Sequence, residues 1–201
     1  MTAFRRSALL APLAAISLAG CGLNSVPTAE ENVNARFADL QADYQRRNDL
    51  IGNLVETVKA AAAQESSVLI GISEARARAT QTTLSPADLS DPAKVQAFDQ
   101  AQAQVGVAVR PLLGPMIQER YPELKSLENF SSLQDQLEGT ENRILASRRD
   151  YNTSVQAYNV RIRTFPDAIG AKVFYGAKAK VPFAASAAAQ EAPKVDFNTT
   201  G

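Results

Sequence analysis

The chain has 201 residues, with 21 basic and 21 acidic side chains, one cysteine and no histidine. Without histidine, Ser-His-Asp and Cys-His nucleophile systems are excluded, and so are histidine-ligated zinc and di-iron sites. A neutral chain without a basic patch has no electrostatic footprint for nucleic acid, and a single cysteine allows no disulfide within the chain. No phosphate-binding loop or dinucleotide glycine pattern is present, so we expect no cofactor.

The first 20 residues have the composition of a secretion signal. Arg5 and Arg6 give a positive start, and the apolar run at 8–17 is too short to cross a bilayer. The sequence LAGC at 18–21 resembles the lipobox of bacterial lipoproteins, in which the chain is cut before a lipidated cysteine. We therefore predict a cleaved signal over residues 1–20 and lipid attachment at Cys21. The alternative is an ordinary secretory signal that leaves a free thiol.

The predicted anchor has consequences for location. Two or more acyl chains hold a protein stably at a membrane where a single chain does not. Gly22 follows the cysteine where an aspartate would favour the inner membrane, so resemblance to Gram-negative sorting rules favours the periplasmic face of the outer membrane. Residues 21–32 are predicted to form a lipidated tether.

The first helix is predicted to run from about Ala29 to about Thr82. Apolar residues recur at helical spacing through this proline-free range, without the alternation that a strand would show. A helix of this length would reach about 80 Å. We expect it to project beyond shorter partners or to pair with its own copy in an oligomer.

Prolines divide the rest of the chain. Helices are predicted over about 92–120, with a kink or break at Pro111 and Pro115, and over about 126–165. A short helical piece follows at 168–175.

Short proline-marked turns between long helices give antiparallel neighbours. The expected fold is therefore all-α, an antiparallel bundle of three long helices plus a short C-terminal helix. The bundle is assigned to residues 33–178, and residues 179–201 are expected to be a largely disordered tail.

Polar side chains interrupt the apolar stripes of the first and third predicted helices. A buried charge is very costly unless it is paired. These residues must therefore find partners or face water at the edge of the seam, the line along which the two helices pack together. We hypothesise that Arg47 meets Glu141 across the antiparallel pair and fixes its register, as a polar residue does in a coiled coil. The predicted structural polar seam comprises Arg47, Asn48, Asp49, Asn53, Glu141 and Arg148.

A second interpretation of the polar residues is chemical. Asp49 and Glu56 are seven residues apart and share a helix face, where a carboxylate pair could bind a metal or transfer protons. Solvated or ion-paired side chains are the favoured interpretation. Tyr151 and Tyr158 are likewise assigned to the hydrophobic core in preference to a surface that binds a ligand. We therefore predict no catalytic residue and no metal site.

Several segments together resemble the LemA family of bacterial envelope proteins. They include RRNDLIGNLVETVK at 46–59, YPELK at 121–125, NFSSLQDQLEGTENRI at 129–144 and the two Tyr-Asn pairs within 146–159. The resemblance covers about residues 33–197. It implies a mostly helical bundle attached to a membrane at its N-terminus, without established enzymatic activity. It also implies a membrane protein with a TPM-type domain as a partner.

The chain departs from the family pattern in two places. The family commonly begins with a transmembrane helix, where this chain has a lipobox, and it often has proline where Gly52 stands. The resulting expectation is a non-enzymatic, lipid-anchored envelope protein that acts as a scaffold or assembly partner, with homo-oligomer formation left open. The alternative is a ligand- or metal-binding module that uses carboxylates and tyrosines of the helical seam.

Overall fold

A computed structural model of the chain describes residues 24–59, 66–114, 121, 124 and 128–184. These residues form helices and no strand, which confirms the all-α class. Among them, no helix is both long enough and apolar enough to cross a membrane. The elements in chain order are α1 (Ser25–Val58), α2 (Ser66–Gln81), a 3₁₀ turn (Pro86–Ser90), α3 (Pro92–Leu113), α4 (Glu128–Arg161) and α5 (Asp167–Val173).

The single long helix predicted over residues 29–82 is wrong, because α1 and α2 lie side by side and antiparallel. The Arg76 guanidinium lies 2.8 Å from where a Cβ on Gly52 would stand, whereas one continuous helix would separate these residues by about 36 Å. Gln41 likewise donates a hydrogen bond to the carbonyl of Leu84, at 3.2 Å. The sequence between the helices, AAAAQE at 60–65, consists of good helix formers, so it gave no sign that α1 ends.

The bundle therefore has four principal helices in up-down-up-down order. Its long members, α1 and α4, have 34 residues each and pack antiparallel along their length. α2 packs against α3. α3 runs antiparallel to α4, because Asp99 lies beside Arg148 while Gln102, further along α3, shares Arg47 with the earlier Glu141. The antiparallel bundle is confirmed, but a short α2 closes it, and no helix projects from it among the described residues.

Local sequence explains where α3 begins and ends. The Asp91 carboxylate accepts hydrogen bonds from the backbone N–H groups of Ala93 and Lys94, at 3.0 and 3.4 Å, while Pro92 occupies the first turn. α3 ends at Leu113, two residues after Pro111, and the predicted break at Pro115 lies outside the described residues.

The core consists of two apolar clusters. One lies at the end of the bundle where α1 begins, and it includes ring contacts among Phe37, Tyr44, Phe98, Tyr151 and Phe183 with centroids 5.0–6.1 Å apart. The other surrounds Leu54 and Val58 at the opposite end. Polar residues on the helices separate the two clusters.

The C-terminal segment begins with ordered structure. Gly176 has a positive φ of 54°, which suits a glycine because it has no Cβ, and the chain turns there to run back along α4. Residues 177–184, which we name the strap, bring Phe183 into the core. Residues 185–201 of the predicted tail lie outside the described residues.

Spin labels can test the α1–α2 arrangement. Because Ala42 and Thr83 line the same cleft, labels on these residues should give a short distance in double electron–electron resonance on a Cys21→Ser background. A single helix would place them about 60 Å apart, and such a distance would contradict the fold.

Candidate functional site

A buried arginine lies at the centre of the polar layer, which we define as Arg47, Gln102, Thr140 and Glu141. Arg47 is 4% exposed. One end of its guanidinium donates to the side-chain and backbone oxygens of Gln102, at 2.8 and 2.9 Å, and the other donates to Glu141 at 3.3 Å. Gln102 in turn donates to the carbonyl of Ala79, at 3.5 Å. The layer thus joins all four principal helices.

The predicted contact between Arg47 and Glu141 is present, but it is not the shortest one that Arg47 makes. The Glu141 side chain is 47% exposed, so water competes for the carboxylate. Gln102 is buried and makes the shorter bonds. This role is not visible in the sequence because Gln102 is one of several glutamines in α3, and only the packing shows which of them faces inward.

A second arginine lies one layer nearer to the start of α1. Arg148 forms an ion pair with Asp99 of α3 and donates to the Tyr44 hydroxyl at 3.1 Å and to the carbonyl of Ala184 at 2.8 Å. Burial acts to lower the pKa of Arg148, but the bonds to Asp99 and Tyr44 outweigh it and raise that pKa above its usual value. Burial also raises the pKa of Tyr44, although Arg148 and Arg47 oppose this shift. Arg148 therefore remains a cation and Tyr44 a neutral donor and acceptor.

The other predicted seam residues lie elsewhere. Asp49 and Asn53 are exposed on α1, and Asn48 is half-buried. Glu56 is also exposed and pairs with Lys59 at 3.6 Å. Within the described ranges, no three His, Cys, Asp or Glu side chains lie close enough together to hold a metal ion. The structure thus brings Arg47 and Glu141 together, joins Arg148 to α3, and leaves Asp49 and Asn53 at the surface.

A polar cleft opens beside the layer, between α1 and α2. It has a volume of about 580 Å³, and its lining includes Tyr44, Asn48, Asp49, Arg76 and Gln102. Among the described residues, the buried Asn48 Oδ1 and Arg76 Nε atoms have no hydrogen-bond partner. One acceptor and one donor in the wall of this cleft are thus left without a hydrogen-bond partner. Gly52 contributes by leaving room for the Arg76 side chain.

Two asparagines of α4 hold the strap. Asn152 exchanges two hydrogen bonds with the backbone of Phe183, at 2.9 and 2.8 Å, and Asn159 does the same with Lys180, at 2.8 and 2.9 Å. Each side-chain amide therefore pairs with the strap as a neighbouring strand would. The Tyr151 hydroxyl adds a bond to the carbonyl of Val181 at 3.0 Å.

Lys180 fastens the strap from the other side. Its ammonium group is buried and contacts Glu30 of α1 at 2.9 Å and the carbonyl of Pro86 at 3.2 Å. The seven-residue spacing of Asn152 and Asn159 was visible in the sequence as one face of a helix. What this face would hold was not visible, because the strap has no periodic pattern of its own.

Replacing Gln102 tests the polar layer. Gln102→Leu should lower the free energy of unfolding by about 3 kcal/mol, because it leaves the buried Arg47 charge poorly compensated. Glu141→Gln should cost at most about 1 kcal/mol, because Glu141 is half exposed. Urea unfolding measures both variants. Gln104→Leu, the same change at an exposed position of α3, is the control, and an equal loss in this variant would contradict the central role of Gln102.

Double-mutant cycles should give Arg47 a larger coupling energy with Gln102 than with Glu141.

Replacing the two asparagines tests the strap. Asn152→Ala and Asn159→Ala each remove two hydrogen bonds, and a loss of about 1.4 kcal/mol would speed local opening about tenfold. Hydrogen exchange at the Phe183 and Lys180 amides should accelerate accordingly. Asn142→Ala, at an exposed position of α4, should leave both amides protected. Unchanged protection in the first two variants would show that the strap is held by other contacts.

Comparison with known proteins agrees with the resemblance in the sequence. The family model described as "LemA family" matches residues 36–197. Three similar proteins are Magnetosome protein MamQ 2 and MamQ 1 of Paramagnetospirillum magneticum, each 26% identical, and Magnetosome protein MamQ of Magnetospirillum gryphiswaldense, 28% identical. Each alignment covers 71% of this chain and 58% of the relative, so the chain spans less than two thirds of the length of these relatives. The family match includes the polar layer, the cleft and the strap, and the chain belongs to the LemA family.

Proposed function

We propose that this protein is a membrane-anchored, non-enzymatic helical protein of the bacterial cell envelope, and that it serves as a scaffold or assembly partner of another membrane protein. The anchor is the lipid on Cys21, and the location is the periplasmic face of the outer membrane. A membrane protein with a TPM-type domain is the partner that the family resemblance suggests, and a second copy of this chain is a further candidate.

The observation that carries the proposal is that these polar side chains bind other parts of the same chain. Arg47 and Arg148 are bound by groups on other helices, and the asparagines of α4 hold the chain's own C-terminal segment. These residues therefore stabilise the fold and are not arranged around a substrate. The similar proteins are named for the magnetosome and not for a reaction, which also supports a non-enzymatic role.

The start of α1 determines how far the bundle would lie from an anchor on Cys21. Cys21 lies outside the described residues, but α1 begins at Ser25, four residues further on. An extended chain spans at most about 3.6 Å per residue, so a lipid on Cys21 would hold Ser25 within about 14 Å of the bilayer. The bundle would then stand on the membrane by the end where α1 begins.

Loss of the anchor should release the protein. Cys21→Ser should move the chain from the membrane fraction to the soluble fraction after an alkaline carbonate wash, which strips peripheral proteins. Labelling of cells with an alkyne fatty acid should mark the wild-type chain and not the variant. Ser25→Ala, just beyond the anchor, is the control and should remain labelled and bound. Absence of label from the wild-type chain would refute the lipoprotein assignment.

Crosslinking in cells tests the scaffold role. Photo-reactive residues placed at Val107 and Leu145, which are exposed and apolar on α3 and α4, should capture one discrete partner. The same residues at the exposed polar positions Gln104 and Asn142 are the matched controls and should capture less. Equal diffuse labelling at all four positions would argue against a specific partner.

The cleft between α1 and α2 supports the second candidate, a module that binds a small polar ligand or a metal. Its unpartnered Asn48 and Arg76 atoms favour this function. Here the purified protein should gain several degrees in Tm with a divalent cation or a small carboxylate, because a ligand that binds the folded state stabilises it. Asp49→Asn or Arg76→Gln, which change residues that line the cleft, should abolish the gain. A gain that these changes remove would place ligand binding ahead of the scaffold role.

A further inference from the structure

Large apolar side chains are exposed at one end of the bundle. Nine such side chains are exposed among the described residues, and six of them fall between residues 160 and 175. Phe165 is 81% exposed and Val173 is 68% exposed. We name as the terminal patch the five residues Phe165, Ile169, Val173, Phe174 and Tyr175.

The orientation of α5 is the reverse of that expected for a surface helix in water. Such a helix ordinarily buries its large apolar residues and exposes small or polar ones. α5 instead buries Gly170 and Ala171, with Ala171 in the core cluster near the start of α1, while Ile169 and Val173 point outward. Because Ile169 and Val173 are four residues apart, they share one face. The helix thus packs closely through its small residues and presents its large ones to the surroundings.

The terminal patch lies at the end of the bundle where α1 begins. The Arg161 guanidinium at the end of α4 donates to the carbonyl of Ser25, at 3.2 Å, and α5 packs against α1. The proposed anchor at Cys21 is four residues before Ser25. An acyl chain on Cys21 would therefore hold Ser25 within about 14 Å of the bilayer and would turn the end of the bundle that carries the patch toward the membrane.

The charges around the patch match a lipid surface. Arg163, Lys172 and Lys178 are exposed, and the one acidic residue between 160 and 180, Asp167, is paired with Arg161 at 3.7 Å. The whole chain has equal numbers of acidic and basic residues, whereas in the segment 160–180 basic residues outnumber the single acidic one. Basic side chains beside exposed apolar ones are typical of segments that lie in the headgroup region of anionic membranes.

We propose that the terminal patch inserts its apolar side chains into the surface of the membrane that holds the anchor, while Arg163, Lys172 and Lys178 contact lipid phosphates. This proposal rests on the proposed membrane anchoring and adds a second contact to it. The acyl chains would fix the end of the chain, and the patch would fix how the bundle stands on the bilayer. A second copy of the chain fits the patch less well, because a symmetric contact would bring the same basic residues together.

The sequence offers a clean reporter, because the chain contains no tryptophan. Phe174→Trp and Phe165→Trp each place a single indole in the patch. Leu145→Trp is the matched control, since Leu145 is an exposed apolar residue of α4 about 24 Å along the helix from Arg161. Far-UV circular dichroism and Tm identify any variant that does not fold, and the two patch variants replace each other in that case.

The full-length variants are reconstituted into vesicles of phosphatidylglycerol and phosphatidylcholine. Emission from both patch variants should shift to shorter wavelength, and lipids brominated on the acyl chains should quench it several-fold more than in the Leu145→Trp control. Vesicles of phosphatidylcholine alone should give a smaller effect, because the basic residues then lack anionic partners. Water-exposed emission in the patch variants would overturn the proposal. So would a blue shift without vesicles that grows with protein concentration, since it would indicate a second copy on the patch.

Failure of the anchor gives a different result from failure of the patch. Mass spectrometry of the wild-type chain reports acylation of Cys21 directly, whatever the tryptophan emission shows. An acylated chain with solvent-exposed tryptophans would overturn the patch and leave the anchor standing. Combining Cys21→Ser with Phe174→Trp tests the patch without acyl chains, and a vesicle-dependent blue shift in that chain would support lipid contact independently of the anchor.

Discussion

The need to neutralise one buried charge constrains the whole bundle. A guanidinium at the position of Arg47 cannot be left unpaired in an apolar core. Its partners come from α3 and α4, and Gln102 itself donates a hydrogen bond to the carbonyl of Ala79 on α2. If any of these helices slid by one turn, the charge would lose its acceptors. The polar layer therefore specifies which helices are neighbours and in which register, whereas the apolar clusters on either side supply most of the burial that drives folding.

The same principle extends to the C-terminal part of the chain. Arg148 binds the last described residue, Ala184, in addition to Asp99 and Tyr44. Phe183 inserts between the rings of Phe98 and Tyr151. The strap thus completes the aromatic cluster and is not an appendage to it. Residues far apart in the chain, from α1 to the strap, contribute to one continuous core at this end.

The sequence predicted the parts of the fold that depend on local pattern. The helical spacing of the apolar residues predicted that the elements are helices, and the Asp91-Pro92 pair predicted where α3 begins. Seven-residue spacing placed Arg47 and Glu141 on facing stripes. It did not predict the fold-back after α1, because alanines at 60–63 favour a helix whether or not one continues. Tertiary packing decides that point, since α2 buries Ile72, Ala75 and Ala79 only by lying against the bundle. Gln102 and the strap were missed for the same reason, since their partners are distant in sequence.

The strap also carries the chain from one end of the bundle to its side. It starts beside α5, at the end that carries the terminal patch, and reaches Ala184 next to Arg148. Arg148 is about 20 Å along α4 from Arg161 at that end. Ala184, the last described residue, therefore lies beside the middle of α4, well away from the bilayer in the proposed orientation. A domain or affinity tag joined after the strap would therefore start at the side of the bundle, and it would not come between the terminal patch and the membrane.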